Sequence, residues 1–339
     1  MEKIANNICM YKVELMGLAI ICIMVFHMAV PAVLGIKLLL QIGVDLFLFL
    51  GAFTCTRSYL SLYTTYSAIN QLFVRFCKKR VWRVMPPFLL LYIFIYGYEY
   101  LLVKEGDWNG FLIRITMWDN IAYNSLRMWY IPAVMIMYLL LPLYVEAYKK
   151  CKYVLWSPLV VIVVISYLSM IINVEEHIYF FMAWQRLPIF LIGINMYLLK
   201  DNDIKINARW LVVIALVFTF VAWMVYSSNG TLGRLSFIPI VLAMVYFADR
   251  YITEKWRAVL TFLGGFTLEL YLIQEYIQKL LYENIGTDLI YSIMPIPFVQ
   301  KHVLGIQSVG CAVLALPLGI FLAYVYHLLL QKMLYTLER

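Results

Sequence analysis

Four ionisable side chains stand within or at the end of apolar segments, and their types suit proton transfer. His27 ends the run IMVFH, and Asp45 follows in GVDLFLFL. Arg186 lies in AWQRLPIFLIGI and Glu269 in FTLELYLIQEYI. A carboxylate that holds one imidazole nitrogen leaves the other nitrogen to accept a proton from a hydroxyl, as in general-base catalysis. The sequence therefore predicts a catalytic His27–Asp45 pair, with Glu269 as a further catalytic candidate.

A second group of residues suits phosphate binding. The stretch RFCKKRVWRVMPP, residues 75–87, carries five basic residues within nine positions. Arg80 and Arg83 are three residues apart on one helical face, so together they can hold a diphosphate through charge-assisted hydrogen bonds. Lys79 joins them in the predicted site. The alternative interpretation is ordinary anchoring of a basic segment to lipid headgroups.

The composition restricts the chain to the membrane proteins. Hydrophobic residues make up 64% of the 339 residues and charged residues 14%, whereas a soluble domain carries about 25% charged residues. Apolar runs long enough to cross a bilayer as a helix, about 20 residues, recur along the whole chain. The predicted fold is therefore all-α, a polytopic membrane protein with one domain over 1–339.

The apolar runs predict about ten membrane-spanning helices. They lie near 12–31, 38–56, 86–103, 129–147, 153–172, 178–199, 209–227, 234–250, 257–281 and 306–332. The first run lacks a convincing small-residue cleavage site, which favours a retained helix over a signal peptide. Lys and Arg are roughly three times as frequent in the connections that would face inward, which predicts that both termini are cytoplasmic.

Neither nucleic-acid binding nor metal binding is indicated. The net charge is +8, but the basic residues cluster between the predicted spans, as is usual for membrane proteins. No basic stripe is interleaved with aromatic residues of the kind that stack on single strands. The six cysteines show no CxxC pair and no metal-ligand spacing, so they are predicted to be reduced thiols.

The polar residues of the apolar segments fall at similar depths. His27 would lie in the outer third of the first helix and Asp45 near the outer end of the second, and the rise per residue is about 1.5 Å. Arg186 and Glu269 fall in the same broad layer. Such residues cost about 2.5–3.5 kcal/mol each to insert, which makes them functional candidates. Each could instead form an interhelical hydrogen bond that only aids packing, but together they favour a polar pocket in the outer half.

An outer histidine pocket and an inner phosphate site suggest a long phosphorylated donor that reaches into the bundle. Coenzyme A has this shape, with an anionic nucleotide at one end of a slim arm. The predicted reaction moves an acyl group from this cytoplasmic donor to a hydroxyl near the outer face. No GxSxG signature and no suitably placed cysteine is present, which favours direct transfer with His27 as the base toward the acceptor.

At these residues the chain resembles the membrane-bound acyltransferase-3 family of bacterial O-acyltransferases, from about residue 12 to 333. Six segments carry the resemblance in order: GLAIICIMVFH, GVDLFLFLGAF, KKRVWRVMPP, MWYIPAVMIMYLLLPL, RLPIFLIGI and LGGFTLELYLIQE. The resemblance implies a ten-helix acyltransferase core in the bacterial cytoplasmic membrane, an acyl-coenzyme A donor that is most often acetyl-coenzyme A, and envelope glycans or lipid-linked saccharides as acceptors. It supports His27 as the catalytic residue and Arg80 with Arg83 as a functional pair. The matched segments also contain the candidates for substrate contact, which are Trp129, Tyr130, Arg186, Tyr271 and Gln274.

Three positions depart from the family pattern. Met16 stands where the family usually has an arginine, and Lys12, one turn earlier, is the candidate to supply that charge toward the donor. Gly51-Ala52-Phe53 replaces a serine-glycine-phenylalanine triplet, and Gln274 stands where many relatives have histidine. These changes imply either altered donor or acceptor choice or lost activity.

Two other functions remain open from the residues. One is a transporter or flippase for an envelope precursor, although the absence of an internal repeat weakens it. The other is a non-catalytic scaffold in polysaccharide assembly. The connections 104–128 and 282–305 are predicted to choose the acceptor, because DWNGF and MPIPF offer aromatic rings to sugars. The oligomeric state is left open.

Overall fold

The computed structural model describes residues 1–27, 40–65, 68–126, 128–172, 177–202, 207–226, 237–284 and 314–333, and every regular element in these ranges is helical. The α-helices are α1 (Glu2–His27), α2 (Ile42–Ser61), α3 (Ile69–Tyr96), α4 (Trp108–Ile115), α5 (Trp118–Ala122), α6 (Tyr130–Lys150), α7 (Ser157–Ile171), α8 (Ile178–Trp184), α9 (Leu187–Leu198), α10 (Ala208–Tyr226), α11 (Phe237–Tyr246), α12 (Ala248–Tyr251), α13 (Glu254–Gly265), α14 (Thr267–Asn284) and α15 (Leu314–Met333). Two 3₁₀ turns, Leu62–Thr64 and Lys152–Trp156, and a π-helical segment, Gly97–Val103, complete them. The predicted all-α class is confirmed.

Several helices have the length and composition needed to cross a membrane. In the described part of the chain these number five: Glu2–His27, Ile69–Val103, Tyr130–Lys150, Lys152–Ile171 and Leu314–Met333. The bent pair α13 and α14 would add a sixth if it forms one span. Because several such helices lie in one chain, the protein is a multi-pass membrane protein.

Two predicted spans are broken in the structure. The span predicted over 257–281 bends by 72° between α13 and α14, beside a Gly-Gly pair that has low helix propensity. The span predicted over 178–199 is divided between α8 and α9 at Gln185 and Arg186. Pro188 in the first turn of α9 suits a helix start and not a helix interior, which explains the second break.

The basic stretch 75–87 lies inside α3 and not ahead of it, which corrects the predicted helix start at residue 86. Pro86 and Pro87 are accommodated within the helix. With the π-helical segment, the span Ile69–Val103 has 35 residues, about 15 more than a bilayer core requires. The excess length allows the basic N-terminal part of α3 to extend beyond the hydrocarbon region.

The chain divides into two compact units, and α1 contributes to both. The first unit comprises Met1–Met10 and Asp45–Asp249, and the second comprises Tyr11–Val44 and Arg250–Arg339. The change from one unit to the other coincides with a kink in α1, where Tyr11 has a non-helical backbone (φ −117°, ψ 19°). The prediction of one domain over the whole chain stays a prediction.

In the first unit, α2 is fixed by close contacts on two sides. The Phe53 ring contacts the Tyr197 ring near the end of α9, with a centroid distance of 5.1 Å. The Tyr59 ring contacts the Phe76 ring of α3, with a centroid distance of 5.3 Å. Gly193 lets the backbone of α9 approach the Phe49 carbonyl of α2, because any side chain there would clash with it. This packing sets the position of Asp45, near the start of α2.

In the second unit, α1 and α13 cross at glycines. A methyl group on Gly17 would overlap the Leu260 carbonyl, and one on Gly264 would overlap the Val13 carbonyl. Small residues at such a crossing let two helix backbones approach closely within a membrane protein. The carboxylate of Glu14, also on α1, pairs with Arg257 of α13 at 2.8 Å (Oε1–Nε), so the crossing is held by a charged contact as well.

We expect Gly264→Ala to destabilise the protein, because the added methyl group meets backbone atoms that cannot move independently. Overpacking of this kind costs about 1–3 kcal/mol. The matched control is Gly265→Ala, since a methyl group on the neighbouring glycine meets no atom within 4 Å. Thermal unfolding of the purified protein in detergent measures the difference, and equal melting temperatures for the two variants would contradict the close crossing.

Candidate active site

Three of the sequence candidates meet in the first unit. The Asp45 carboxylate and the Arg186 guanidinium form an ion pair with an Oδ1–Nε distance of 3.6 Å. The same guanidinium lies over the Trp129 ring, 4.8 Å from its centroid, and its Nη1 donates a 2.8 Å hydrogen bond to the Met182 carbonyl. Arg186 is only 2% exposed and Asp45 only 5%. The structure therefore contains a buried network of opposite charges beside an aromatic ring.

The local sequence explains how this network is held. Asp45 lies in the first turn of α2, where the helix dipole favours a negative charge. Arg186 occupies the break between α8 and α9, and its guanidinium donates a hydrogen bond back to α8 at the Met182 carbonyl. Tyr130, another substrate candidate, is half-buried at the first position of α6, directly after Trp129. Buried ionic groups need such partners, because an isolated buried charge is strongly unfavourable.

His27 is the last residue of α1, and its imidazole is exposed. Its ring meets the Phe26 ring edge-on, with centroids 5.2 Å apart. A general base must reach the substrate hydroxyl, and the exposure of the imidazole is compatible with that role. His27 belongs to the second unit and Asp45 to the first, and the predicted pairing of the two stays a prediction.

Glu269 has a histidine partner that the sequence did not reveal. Its Oε1 lies 2.8 Å from Nδ1 of His327 on α15, and Nε2 of His327 lies 2.8 Å from Nε2 of Gln331. The His327 ring therefore lies between a carboxylate and an amide, and its tautomer sets which ring nitrogen donates. The only sequence signal was a lone histidine, four residues before a glutamine, in the last predicted helix.

Two further candidates lie on α14 in the second unit. Tyr271 is half-buried, and Gln274 is 3% exposed and lies against Gly319 of α15. Among the described residues, neither the amide nitrogen nor the amide oxygen of Gln274 has a hydrogen-bond partner. A buried amide without partners is unusual in a native structure, so Gln274 remains a substrate candidate.

Arg80 is the most unusual of the predicted phosphate ligands. It is 7% exposed, and its guanidinium lies 5.2 Å from the Phe76 ring centroid and 5.9 Å from that of Tyr138. Among the described residues its Nε has no hydrogen-bond partner, and no carboxylate forms an ion pair with it. A buried guanidinium surrounded by rings is therefore left without a counter-ion in this part of the chain.

The other predicted donor ligands have different surroundings. Arg83 and Lys79 are exposed on α3, and Lys12 is half-buried on α1 in the second unit. The charges of Arg80 and Arg83 both act on the Tyr138 side chain, and Arg83 also acts on Tyr130. Tyr138 is therefore the tyrosine that both arginines affect among the described residues.

Sequence reasoning also missed Arg257, which brings a positive charge to α1 near Met16. Its guanidinium pairs with the buried Glu14 carboxylate and lies 5.8 Å from the Tyr11 ring centroid. Met16 occupies the position where the resemblance predicts an arginine. A cation therefore does reach this stretch of α1, supplied by α13.

The segment predicted as the connection 104–128 is ordered by a polar network around Arg114. The guanidinium donates to the Tyr100 hydroxyl at 2.9 Å and to the Ser125 hydroxyl at 3.0 Å, and it also pairs with the buried Asp119. Burial alone would lower the pKa of Arg114, but the bond to Tyr100 and the charge of Asp119 outweigh burial and raise it. Arg114 is therefore a permanent cation, and the segment has a defined shape.

This shape leaves aromatic side chains at the surface. Trp108, Trp118 and Tyr123 are all more than half exposed. All the non-glycine residues with positive φ in the described chain fall in the same segment: Glu105, Met117, Asn124 and Met128. The second predicted acceptor segment, 282–305, lies outside the described residues from residue 285 onward.

The described residues contain no group of three or more His, Cys, Asp or Glu side chains that could hold a metal ion. The described cysteines, Cys9, Cys22, Cys55, Cys77 and Cys151, are free thiols.

The described part of the chain is that of a helical, multi-pass membrane protein with buried ionic residues. A family model described as an acyltransferase domain matches residues 15–328. The chain belongs to the acyltransferase-3 family, as its sequence motifs predict, and is a membrane acyltransferase. No curated protein and no solved structure matches it.

Proposed function

We propose that the protein transfers an acyl group, most simply acetyl, from cytoplasmic acyl-coenzyme A to a hydroxyl of a cell-surface glycan, a lipid-linked saccharide or another envelope molecule. The observation that carries the proposal is the buried Arg80 guanidinium. The family to which the protein belongs indicates the reaction class, which is acyl transfer, and the buried Arg80 indicates that the donor is anionic. The protein would act in a bacterial cytoplasmic membrane with about ten spans and both termini in the cytoplasm, a topology supported by the distribution of Lys and Arg.

Arg80 supports a phosphorylated donor for an energetic reason. Removing a guanidinium from water costs several kcal/mol unless a counter-ion and hydrogen bonds replace the lost hydration. A diphosphate can do both, because its oxygens accept forked, charge-assisted hydrogen bonds from an arginine. Arg83, three residues further along the same helix, is proposed to share the ligand. Lys79 would add to the local positive potential, and Lys12 is proposed to contact the donor as well.

His27 would act as the general base. The imidazole accepts the proton of the acceptor hydroxyl while the hydroxyl oxygen attacks the thioester carbonyl carbon. The carbon–sulfur bond then breaks, the acyl group stays on the acceptor oxygen, and coenzyme A leaves as the thiol after taking up a proton. Asp45 is proposed to orient the imidazole, Glu269 remains a catalytic candidate together with His327, and Arg186, Trp129, Tyr130, Tyr271 and Gln274 are proposed to contact substrate.

The acceptor is proposed to bind at the Arg114 segment. Sugars stack on exposed aromatic rings, and Trp108, Trp118 and Tyr123 present such rings on a segment held in place by the Arg114 network.

The direct test is transfer of radiolabel from [acetyl-¹⁴C]acetyl-coenzyme A to envelope glycans by the purified protein in lipid nanodiscs. Labelled glycan and free coenzyme A should appear in equal amounts. Substrate movement across proteoliposomes without consumption of acetyl-coenzyme A would favour a transporter and overturn the proposal. If the protein neither moves substrate nor transfers an acyl group to any acceptor fraction, a scaffold would be favoured.

Arg80→Met should weaken binding of coenzyme A, because a charged hydrogen-bonding partner of the phosphates is lost. Hydrogen bonds to charged groups contribute about 1.5–3 kcal/mol, which corresponds to an increase in Kd of roughly ten- to one hundredfold. Isothermal titration calorimetry on the detergent-solubilised protein measures the change. Arg75→Met is the matched control, because Arg75 lies exposed on the same helix. Equal affinities for the wild type and Arg80→Met would refute the phosphate assignment.

A further inference from the structure

The first unit contains a large open cavity that none of the sites above uses. Its volume is about 950 Å³, and it is lined by the first residues of α1, the second half of α2, and the end of α9 with the residues that follow. Cavities that hold cofactor-sized ligands have volumes of about 300–1,000 Å³. The space is therefore large enough for a nucleotide.

The cavity is lined by three cations from three separate parts of the chain, Lys3, Arg57 and Lys200. Lys3 forms an ion pair with Asp249 at 3.1 Å. Among the described residues, Arg57 and Lys200 form no ion pair with any carboxylate. Glu2 and Asp201 also line the cavity, so the cavity as a whole is not strongly positive. Arg57 and Lys200 can still bind an anion, because neither is paired with a carboxylate of the described residues.

Two tyrosine rings lie beside these cations. Lys200 Nζ lies 4.7 Å from the Tyr197 ring centroid, and Lys3 Nζ lies 4.6 Å from that of Tyr246. Both rings line the cavity and are half-buried. Aromatic rings next to cations bind a planar base and a phosphate together, because stacking and charge then act on one ligand. Asn202 adds an amide that can pair with a base edge.

We propose that this cavity binds a phosphorylated adenine nucleotide. The inference rests on the proposed function, because coenzyme A carries a phosphorylated adenosine at the end remote from its thioester. In this assignment Arg57 and Lys200 contact the ribose phosphate, and Tyr197 or Tyr246 stacks on the adenine. Arg80 keeps the diphosphate of the connecting arm.

The same cations suit the phosphate of an anionic lipid headgroup. A headgroup such as phosphoglycerol has no planar base, so it makes no use of the tyrosine rings or of Asn202. The two ligand sources can therefore be distinguished with soluble probes, 3′,5′-ADP for the nucleotide and glycerol phosphate for the headgroup.

Cys9 provides a readout that does not depend on catalysis. Its thiol is exposed, lines the cavity and lies 4.0 Å from Nη1 of Arg57. The Cys151 thiol is also exposed but does not line the cavity. The experiment measures the rate at which N-ethylmaleimide alkylates each cysteine in the purified full-length protein, by peptide mass spectrometry, with and without 3′,5′-ADP.

We expect saturating 3′,5′-ADP to slow alkylation of Cys9 at least fivefold and to leave Cys151 unchanged. Arg57→Ala and Lys200→Ala should each raise the concentration for half-protection about tenfold, whereas Lys152→Ala, an exposed lysine outside the lining, should not. Unchanged protection in both cavity variants would overturn the assignment, as would a failure of 3′,5′-ADP to protect Cys9. Equal protection by glycerol phosphate would overturn the nucleotide and leave a headgroup site.

The outcome is separable from that of the proposed function. Acetyl transfer by a protein whose Cys9 is not protected refutes the cavity and leaves the transferase standing. Protection of Cys9 in a protein that transfers no acetyl group supports the nucleotide site and refutes the reaction. Arg80→Met should leave protection of Cys9 by 3′-AMP unchanged, because this probe carries the 3′-phosphate of the ribose and neither phosphate of the diphosphate arm.

Discussion

Replacing His27 by Gln should reduce acetyl transfer by roughly 10²–10⁴-fold, the range that general acid–base groups contribute. Glutamine keeps much of the size and polarity of histidine but cannot accept a proton at neutral pH. The Michaelis constant for acetyl-coenzyme A should change little, because the donor phosphates are assigned to Arg80 and Arg83. Initial rates with labelled donor and a fixed acceptor measure both quantities.

His177→Gln is the matched control, since His177 is exposed, lies just before α8 and is not one of the predicted site residues. Full activity in His27→Gln would refute the assigned base. Loss of activity in His327→Gln, with full activity in His27→Gln, would transfer the role to the Glu269–His327 pair, a carboxylate–imidazole contact that the structure shows.

Arg186→Met should be among the most destabilising single substitutions in the first unit. It removes the ion-pair partner of a carboxylate that is 5% exposed, and breaking a buried pair on one side costs about 3–5 kcal/mol. The hydrogen bond to Met182 and the contact with the Trp129 ring are lost as well. Thermal unfolding in detergent, with yield of monodisperse protein as a second measurement, reports the effect.

The double variant Arg186→Met with Asp45→Asn separates charge from packing. If the unpaired carboxylate causes the loss, neutralising it should restore a large part of the stability. Arg209→Met, an exposed arginine at the start of α10, should have little effect. A double variant no more stable than Arg186→Met alone would show that the Asp45 charge is not what Arg186 balances.

The helices were largely predictable because each long apolar run needs internal backbone hydrogen bonds in a membrane. The breaks were not. Pro188 and the Gly264-Gly265 pair were visible in the sequence, but prolines and glycines also occur inside membrane helices, as Pro86 and Pro87 do in α3. Whether such a residue ends a helix depends on the neighbouring helices that satisfy the freed backbone groups, and these neighbours are a property of the fold.

The residues of the candidate site could be predicted from the sequence, but the contacts between them could not. Asp45 and Arg186 were each identified because a charged side chain within an apolar segment is energetically costly to insert into a membrane. Their similar predicted depths indicated that they lie in one layer of the membrane. Their direct contact, and the Trp129 ring beneath the guanidinium, required the packing of α2 against α9. His327 was passed over because one histidine in an apolar helix carries no signal until its carboxylate partner is known.

By itself the sequence determined the class of this protein: an all-helical membrane protein of the acyltransferase-3 family, because hydrophobic runs and ordered motifs are local properties of the chain. Only the tertiary structure decided which charges are paired. It paired Asp45 with Arg186, Glu269 with His327 and Glu14 with Arg257, while Arg80 remains without a counter-ion among the described residues. The physical reason is that a charge interacts with whatever packing brings within a few ångströms, and those neighbours lie 58 to 243 residues away along the chain.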